Sequence, residues 1–125
     1  MNKELKQKWI NALRSDKYHQ CIEKLKNQTG FSVLGVLCDV SGLGKWNNDN
    51  SYLGSFVTLP SKIRNKENLL FDPLISIELL TLAEHIKLIQ MKNYSPEEFS
   101  VPISILNDCG FSFKRLADII EESNL

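Results

Sequence analysis

Phe31-Ser32-Val33-Leu34-Gly35-Val36-Leu37-Cys38-Asp39-Val40 is the stretch on which the fold turns. It is apolar almost without interruption, and periodicity does not separate a buried strand from a buried helix in so short a run. Its β-branched residues favour a strand. Its length, the lack of polar alternation and Gly42 and Gly44 just past it favour a helix with a glycine-assisted end. We read a helix, with strand as the alternative. In either form the segment is the core.

Upstream of it, Leu5, Trp9, Ala12 and Leu13 recur at helical spacing, and Tyr18, Cys21, Ile22 and Leu25 repeat the rule. Residues 4–14 and 18–25 are therefore expected to form a helical hairpin, with Ser15-Asp16 capping the second arm and Asn27 to Gly30 turning after it. Downstream, Trp46, the run Asn47-Asn48-Asp49-Asn50 and Tyr52-Leu53-Gly54-Ser55-Phe56-Val57 read as a short β-hairpin around a polar loop. Pro60 suits the first position of a short helix, Ser61 to Lys66.

Leu74 to Met91 predicts one long helix. Ile75, Leu79, Leu82, Ala83, Ile86 and Ile89 line one face, and Ile77, Leu80, Leu88 and Met91 occupy much of the rest. A helix apolar nearly all round must be covered on most sides. We therefore expect self-association, with Ile75, Leu79, Leu82, Ile86 and Ile89 at the interface. Further on, Ile103 to Gly110 reads as a helical turn ending at Gly110. Ser112 then caps a helix that buries Phe113, Leu116, Ala117 and Ile120. Phe111 and Leu116 stand at the positions of a hydrophobic staple, and Arg115 where a capping box would have Glu. The expected fold is α+β and mostly helical, a single domain over 1–125. Its parts are N-terminal helices, a buried Leu34–Asp39 segment, one small hairpin, a long apolar helix and a C-terminal helix pair.

A chain of 125 residues fits one domain of roughly 100–200 residues and is long enough to fold without disulfides. With 42% apolar and 24% charged residues it is not a wholly disordered chain. Its 15 Lys+Arg balance 15 Asp+Glu, so no net field draws it to nucleic acid or anionic lipid. The balance conceals an asymmetry: Lys3, Lys6, Lys8, Arg14, Lys17, Lys24 and Lys26 lie early, and Glu97, Glu98, Asp108, Asp118, Glu121 and Glu122 late. Opposite ends of such a chain can attract each other. No apolar run approaches the ~20 residues that span a bilayer, and the start of the chain is charged where a secretion signal is apolar. Cys21, Cys38 and Cys109, an odd count, suit reduced thiols in a cytoplasmic chain that uses neither of its sequons, Asn27-Gln28-Thr29 and Asn93-Tyr94-Ser95.

Familiar chemistries are poorly matched. Gly42-Leu43-Gly44-Lys45 resembles the end of a phosphate loop, but Asp39 and Trp46 stand where that loop needs Gly and Ser or Thr. His19, Cys21, Cys38, His85 and Cys109 lack the short chelating spacings of a zinc site, so we expect no metal and no cofactor. Cys38-Asp39 is a poor nucleophile, because an adjacent carboxylate raises a thiol pKa. Nothing in the spacing of Asp39, Asp72 and Asp108 brings them together as a catalytic pair, and no catalytic residue is expected. Residues 102–121 have the outline of a helix-turn-helix, yet Lys114 and Arg115 are followed by Asp118, Glu121 and Glu122, which repel a phosphate backbone. Trp46, Tyr52 and Phe56 beside the asparagines are better suited to stack and hydrogen-bond a planar base or a sugar. The candidate ligand contacts are Asp39, Lys45, Trp46, Asn47, Tyr52, Asn107 and Asp108. The alternative for Asp39 and Asn107-Asp108 is a structural role as caps and turn-formers.

Taken in order, Lys8-Trp9-Ile10-Asn11-Ala12-Leu13-Arg14-Ser15, Leu34-Gly35-Val36-Leu37-Cys38-Asp39, Trp46, Leu59-Pro60, Leu106-Asn107-Asp108-Cys109-Gly110-Phe111-Ser112-Phe113 and Ile119-Ile120-Glu121-Glu122 resemble a family of short, uncharacterised bacteriophage proteins. Residues 71–100 depart from that pattern, as does Arg115, where the family is acidic. The resemblance implies a viral setting, in the cytoplasm of the infected host cell. In that setting we expect a non-enzymatic accessory protein acting against host defence. It would sequester a nucleotide-derived immune signal as a homo-oligomer. The alternative is a protein–protein inhibitor that docks on a host defence enzyme, and DNA binding through the helix-turn-helix ranks below both.

Overall fold

The computed structural model describes residues 1–91 and 99–125, which are α+β and mostly helical. Asn93-Tyr94-Ser95, Glu97 and Glu98 lie outside the described residues. Helix α1 runs over Lys3–Arg14, where the Asn2 carboxamide accepts from the N–H groups of Glu4 and Leu5 at 2.7 and 3.2 Å. That cap satisfies donors that a helix start leaves free. Trp9, Ile10 and Leu13 form its buried stripe and pack against the helices Val33–Ser41 and Phe113–Glu122.

Helix α2, Val33–Ser41, resolves the ambiguity of the central segment. Ser32 caps it by accepting from Gly35 N–H at 3.2 Å, and Gly42 ends it in the left-handed conformation, φ +67°. Val33 to Cys38 are all buried, and Asp39 is the first residue to reach solvent. Gly35 has a packing reason: a Cβ there would lie 1.8 Å from the Leu25 carbonyl oxygen. The Trp9 indole N–H donates to the Val33 carbonyl at 2.9 Å, locking α1 to the start of α2.

The second arm of the expected helical hairpin is not a helix. Residues 18–31 spend their backbone groups across the chain instead. Cys21 N–H donates to Phe31 O (2.9 Å), Phe31 N–H to His19 O (2.8 Å), and Leu25 N–H to Phe56 O (2.8 Å). Asp16 and Glu23 take positive φ, 62° and 68°, which interrupts any helical run. Helical spacing at positions 18, 21, 22 and 25 still buries Cys21 and Leu25 but leaves Ile22 half exposed. Each buried backbone group needs a partner, and here tertiary partners outcompete the i→i−4 ladder.

The hairpin expected over residues 46–57 is likewise a loop. Only isolated bridges, Trp46 to Tyr52 and Tyr52 to Ser55, mark its course. Asn50, Leu53 and Gly54 have positive φ, which coils the loop tightly. Helix α3 spans Ser61–Glu67, with Pro60 at its cap.

The long apolar helix is absent. Leu74 to Gln90 divides into β1 (Leu74–Ser76), a 3₁₀ turn (Ile77–Leu79) and α4 (Leu82–Gln90). Two caps make the breaks. Ser76 Oγ accepts from Glu78 N–H, and Thr81 and Glu84 form a reciprocal capping box at 3.1 and 2.9 Å. Ile75 is fully buried because β1 pairs antiparallel with β2 (Ser100–Pro102), with Ile75 opposite Val101. It lies inside the protomer, away from any interface. The covered residue of α4 is Leu88 at 0% exposure, whereas Leu82, Ile86 and Ile89 are 76%, 45% and 37% exposed. Leu79, on the 3₁₀ turn, is partly buried. Among the described residues no helix is long and apolar enough to cross a membrane.

The C-terminal pair forms as read: α5 (Ile103–Asp108), Gly110 at φ +90°, and α6 (Phe113–Glu122) capped by Ser112. Phe111 and Leu116 are both buried. The charge asymmetry is used within one protomer, where Arg14 of α1 meets Asp118 and Glu121 of α6 at 2.7 and 3.2 Å. In place of a capping-box Glu, Arg115 reaches Glu84 on α4 at 2.8 Å and the Leu79 carbonyl at 3.0 Å. It thereby fastens α6 to the 3₁₀ turn and to α4.

Candidate ligand-binding cleft

A row of aromatic rings runs from the half-buried Tyr18 to the buried Tyr52. Tyr18, Phe31, Trp46 and Tyr52 meet edge to face in sequence, with centroid separations of 5.1, 5.5 and 4.9 Å. That geometry sets the positive edge of one ring against the negative face of the next. Asp39, just past the buried part of α2, accepts from the Tyr18 hydroxyl and from the Trp46 indole N–H at 3.0 Å. Burial first and the Asp39 hydrogen bond second push the Tyr18 phenol up to about 12. Tyr52 is buried, with its hydroxyl accepting from Gly44 N–H (2.7 Å) and donating to Gly44 O (3.1 Å).

Next to this row the turn at 24–29 faces the loop at 49–57 across a cleft of about 430 Å³. Lys24, Lys26, Asn27, Gln28, Thr29, Asp49, Asn50, Phe56 and Val57 line it. Each wall is set by short-range chemistry. Asn27 Oδ1 accepts from Thr29 N–H, Thr29 Oγ1 and Gly30 N–H, all at 2.9 Å, which closes the turn. Asp49 Oδ1 accepts from Ser51 N–H (3.0 Å) and Ser51 Oγ (2.6 Å) in the same way. The Leu25–Phe56 backbone bond stitches the two walls together. The Lys26 ammonium ties cleft to row, at 5.1 Å from the Phe31 ring and 5.3 Å from the Trp46 ring. The Ser51 hydrogen bonds hold the Asp49 carboxyl below the usual carboxylate range, so it is ionised near neutral pH.

The seven residues expected to contact a ligand divide into three groups, and none lines this cleft. Asp39, Trp46 and Tyr52 belong to the aromatic row. Lys45 and Asn47 are exposed on the loop, and Asn47 Nδ2 donates to Ser51 Oγ at 3.0 Å. Asn107 and Asp108 are structural. The Asn107 side chain, 0% exposed, accepts from Gln20 Nε2 (2.9 Å) and Val33 N–H (3.1 Å) and donates to Cys21 O (2.9 Å). Asp108 Oδ1 accepts from Glu23 N–H at 3.0 Å. Together they clamp the irregular 18–31 segment against α5. The signals missed were Lys24 and Lys26, read only as part of the early excess of basic residues and not as ligand contacts. Phe56 and the asparagine-rich loop were legible.

The nucleophile candidates are quenched. Burial, helped by Asp39, pushes the Cys38 thiol up to about 12, and burial raises Cys21 as well. Asp72 is raised by burial and occupied by Ser104, whose hydroxyl and N–H (3.2 Å) both donate to it. On the helix-turn-helix outline, Arg115 is engaged by Glu84 at 2.8 Å, while the largely exposed Lys114 lies 3.6 Å from Asp16. Among the described residues no group of three or more His, Cys, Asp or Glu is arranged to hold a metal ion.

Residues 1–124 match the family described as a domain of unknown function (DUF8296), and the chain belongs to that family. Comparison with curated proteins and with solved structures found no significant match.

Proposed function

We propose that the protein is a non-enzymatic binder of a nucleotide-derived signal, held in the cleft between residues 24–29 and 49–57. The observation that carries this reading is the lining of the cleft. Two ammonium groups, Lys24 and Lys26, share it with the half-exposed Phe56 ring and the carboxamides of Gln28 and Asn50. Ammonium groups neutralise phosphate, an aromatic face stacks a base, and amides meet its edge. The volume of about 430 Å³ falls within the ~300–1,000 Å³ of small-ligand sites. Binding without turnover is supported by the buried, protonated Cys38 thiol and by carboxylates whose oxygens are spent on Tyr18, Trp46 and Ser104. In the viral setting that the sequence resemblance implies, removing a cyclic dinucleotide or cyclic ADP-ribose from the host cytoplasm would silence an immune signal. Calorimetry against a panel of such nucleotides tests the proposal. Micromolar or tighter binding that is weakened at least tenfold by Lys26→Ala supports it, and no heat with any member overturns it.

A specific observation favours a second reading, docking on another protein. Leu82, Ile86 and Ile89 form an exposed apolar row on α4, which suits either a second copy of the chain or a host enzyme. Sedimentation at high dilution combined with pull-down from host lysate separates the two. A solitary species with no protein partner removes this reading.

A further inference from the structure

Resting on the nucleotide reading, we infer that the cleft selects its base, and that Asp49 makes it prefer guanine over adenine. Asp49 Oδ1 is committed to Ser51 N–H and Oγ, whereas Oδ2 has no hydrogen-bond partner among the described residues. Asp49 lines the same cleft as Lys24, Lys26 and the exposed Phe56. An ionised carboxylate only accepts hydrogen bonds. The pairing edge of guanine presents two adjacent donors, N1–H and the N2 amino group, and one carboxylate can take both. Adenine presents one donor beside the N1 lone pair, which a carboxylate repels, and uracil flanks its single N–H with two carbonyl oxygens. Guanine is therefore the base whose edge matches what Asp49 offers. Phosphate goes to the lysines, since Asp49 would repel it, and the base lies along Phe56.

The test titrates the full chain with guanosine and adenosine 5′-monophosphates at matched ionic strength, by calorimetry and by the emission of Trp46, which the Lys26 ammonium approaches at 5.3 Å. The expected result is about tenfold tighter binding of the guanine nucleotide, the lower part of the range for a bidentate base contact because Asp49 is exposed. Asp49→Asn should erase the preference while changing adenine affinity less than about twofold. Asparagine keeps Oδ1, and Asn27 already closes an equivalent turn on Thr29, so the loop survives the substitution. Equal affinities in the unsubstituted protein overturn the guanine assignment and leave the nucleotide reading standing. A guanine preference that persists in Asp49→Asn overturns the role of Asp49. Binding of neither nucleotide, nor of their cyclic dinucleotide forms, nor of cyclic ADP-ribose, overturns the nucleotide reading and this inference with it.

Discussion

Around α2, polar side chains are buried and fully partnered; along α4, large apolar side chains stand in solvent. Asn107 and Ser32 lie inside with hydrogen bonds to backbone and Ser51 with hydrogen bonds to Asn47 and Asp49, while Leu82, Ile86 and Ile89 are exposed. The contrast teaches that backbone demand can outrank hydropathy. The irregular 18–31 segment has many backbone groups to satisfy and draws polar side chains inward to do it. The region from Leu74 to Gln90 satisfies its own backbone with a strand, a 3₁₀ turn and a capped helix, so few of its side chains are needed inside.

Substitutions on either side probe this contrast. The largest effect is expected from Asn107→Ala, which strands the buried Val33 N–H and Cys21 carbonyl. At ~1–3 kcal/mol for each unpaired group, the loss should be about 4 kcal/mol, read from the denaturant midpoint. Leu88→Ala, the covered position of α4, should cost about 3 kcal/mol as a core truncation. If it does not, α4 is only loosely docked. Glu84→Gln should cost about 1 kcal/mol, because it weakens both the capping box and the Arg115 contact. The Arg115 guanidinium, with the Thr81 cap assisting, holds the Glu84 carboxyl below its ordinary range. Its folded pKa is thus depressed. The stability it gives is full above the unfolded carboxylate's titration near pH ~4.3 and is lost as pH falls through the folded value. Acid unfolding of Glu84→Gln should begin from a lower baseline and show a shallower limb. Leu82→Ala, one turn and a half from Leu88, should change stability by less than about 0.5 kcal/mol. A larger loss that depends on protein concentration would mean that the exposed row is covered by a partner in solution.

The elements with local signals were legible in the sequence. The α1 stripe, the Ser112 cap, the glycines at 42 and 110 and the α5–α6 pair all followed from spacing and capping chemistry. What was not legible depended on long-range backbone pairing. Helical spacing in 18–25 is genuine but loses to Phe31 and Phe56, whose carbonyls lie close only in the folded chain. Residues 74–91 did carry a readable stop, Thr81-x-x-Glu84, which their hydrophobic periodicity overshadowed. The same asymmetry governs the site. The aromatic loop announced itself by composition, whereas Lys24 and Lys26 enter the cleft only because the chain there refuses to be helical. Asp39, Asn107 and Asp108 drew attention as conspicuous polar residues in an apolar setting, and the structure spends all three on holding itself together.

Helix α1 lies against α6, from the far end of the described chain, and Arg14 is joined to Asp118 and Glu121 across more than a hundred intervening positions. During synthesis α2 reaches the Trp9–Leu13 stripe early, through the Trp9 bond to Val33, but the side that α6 covers waits until residues 113–122 have been made. Such a topology makes closure of this core a long-range event, slower than the local folding of either helix.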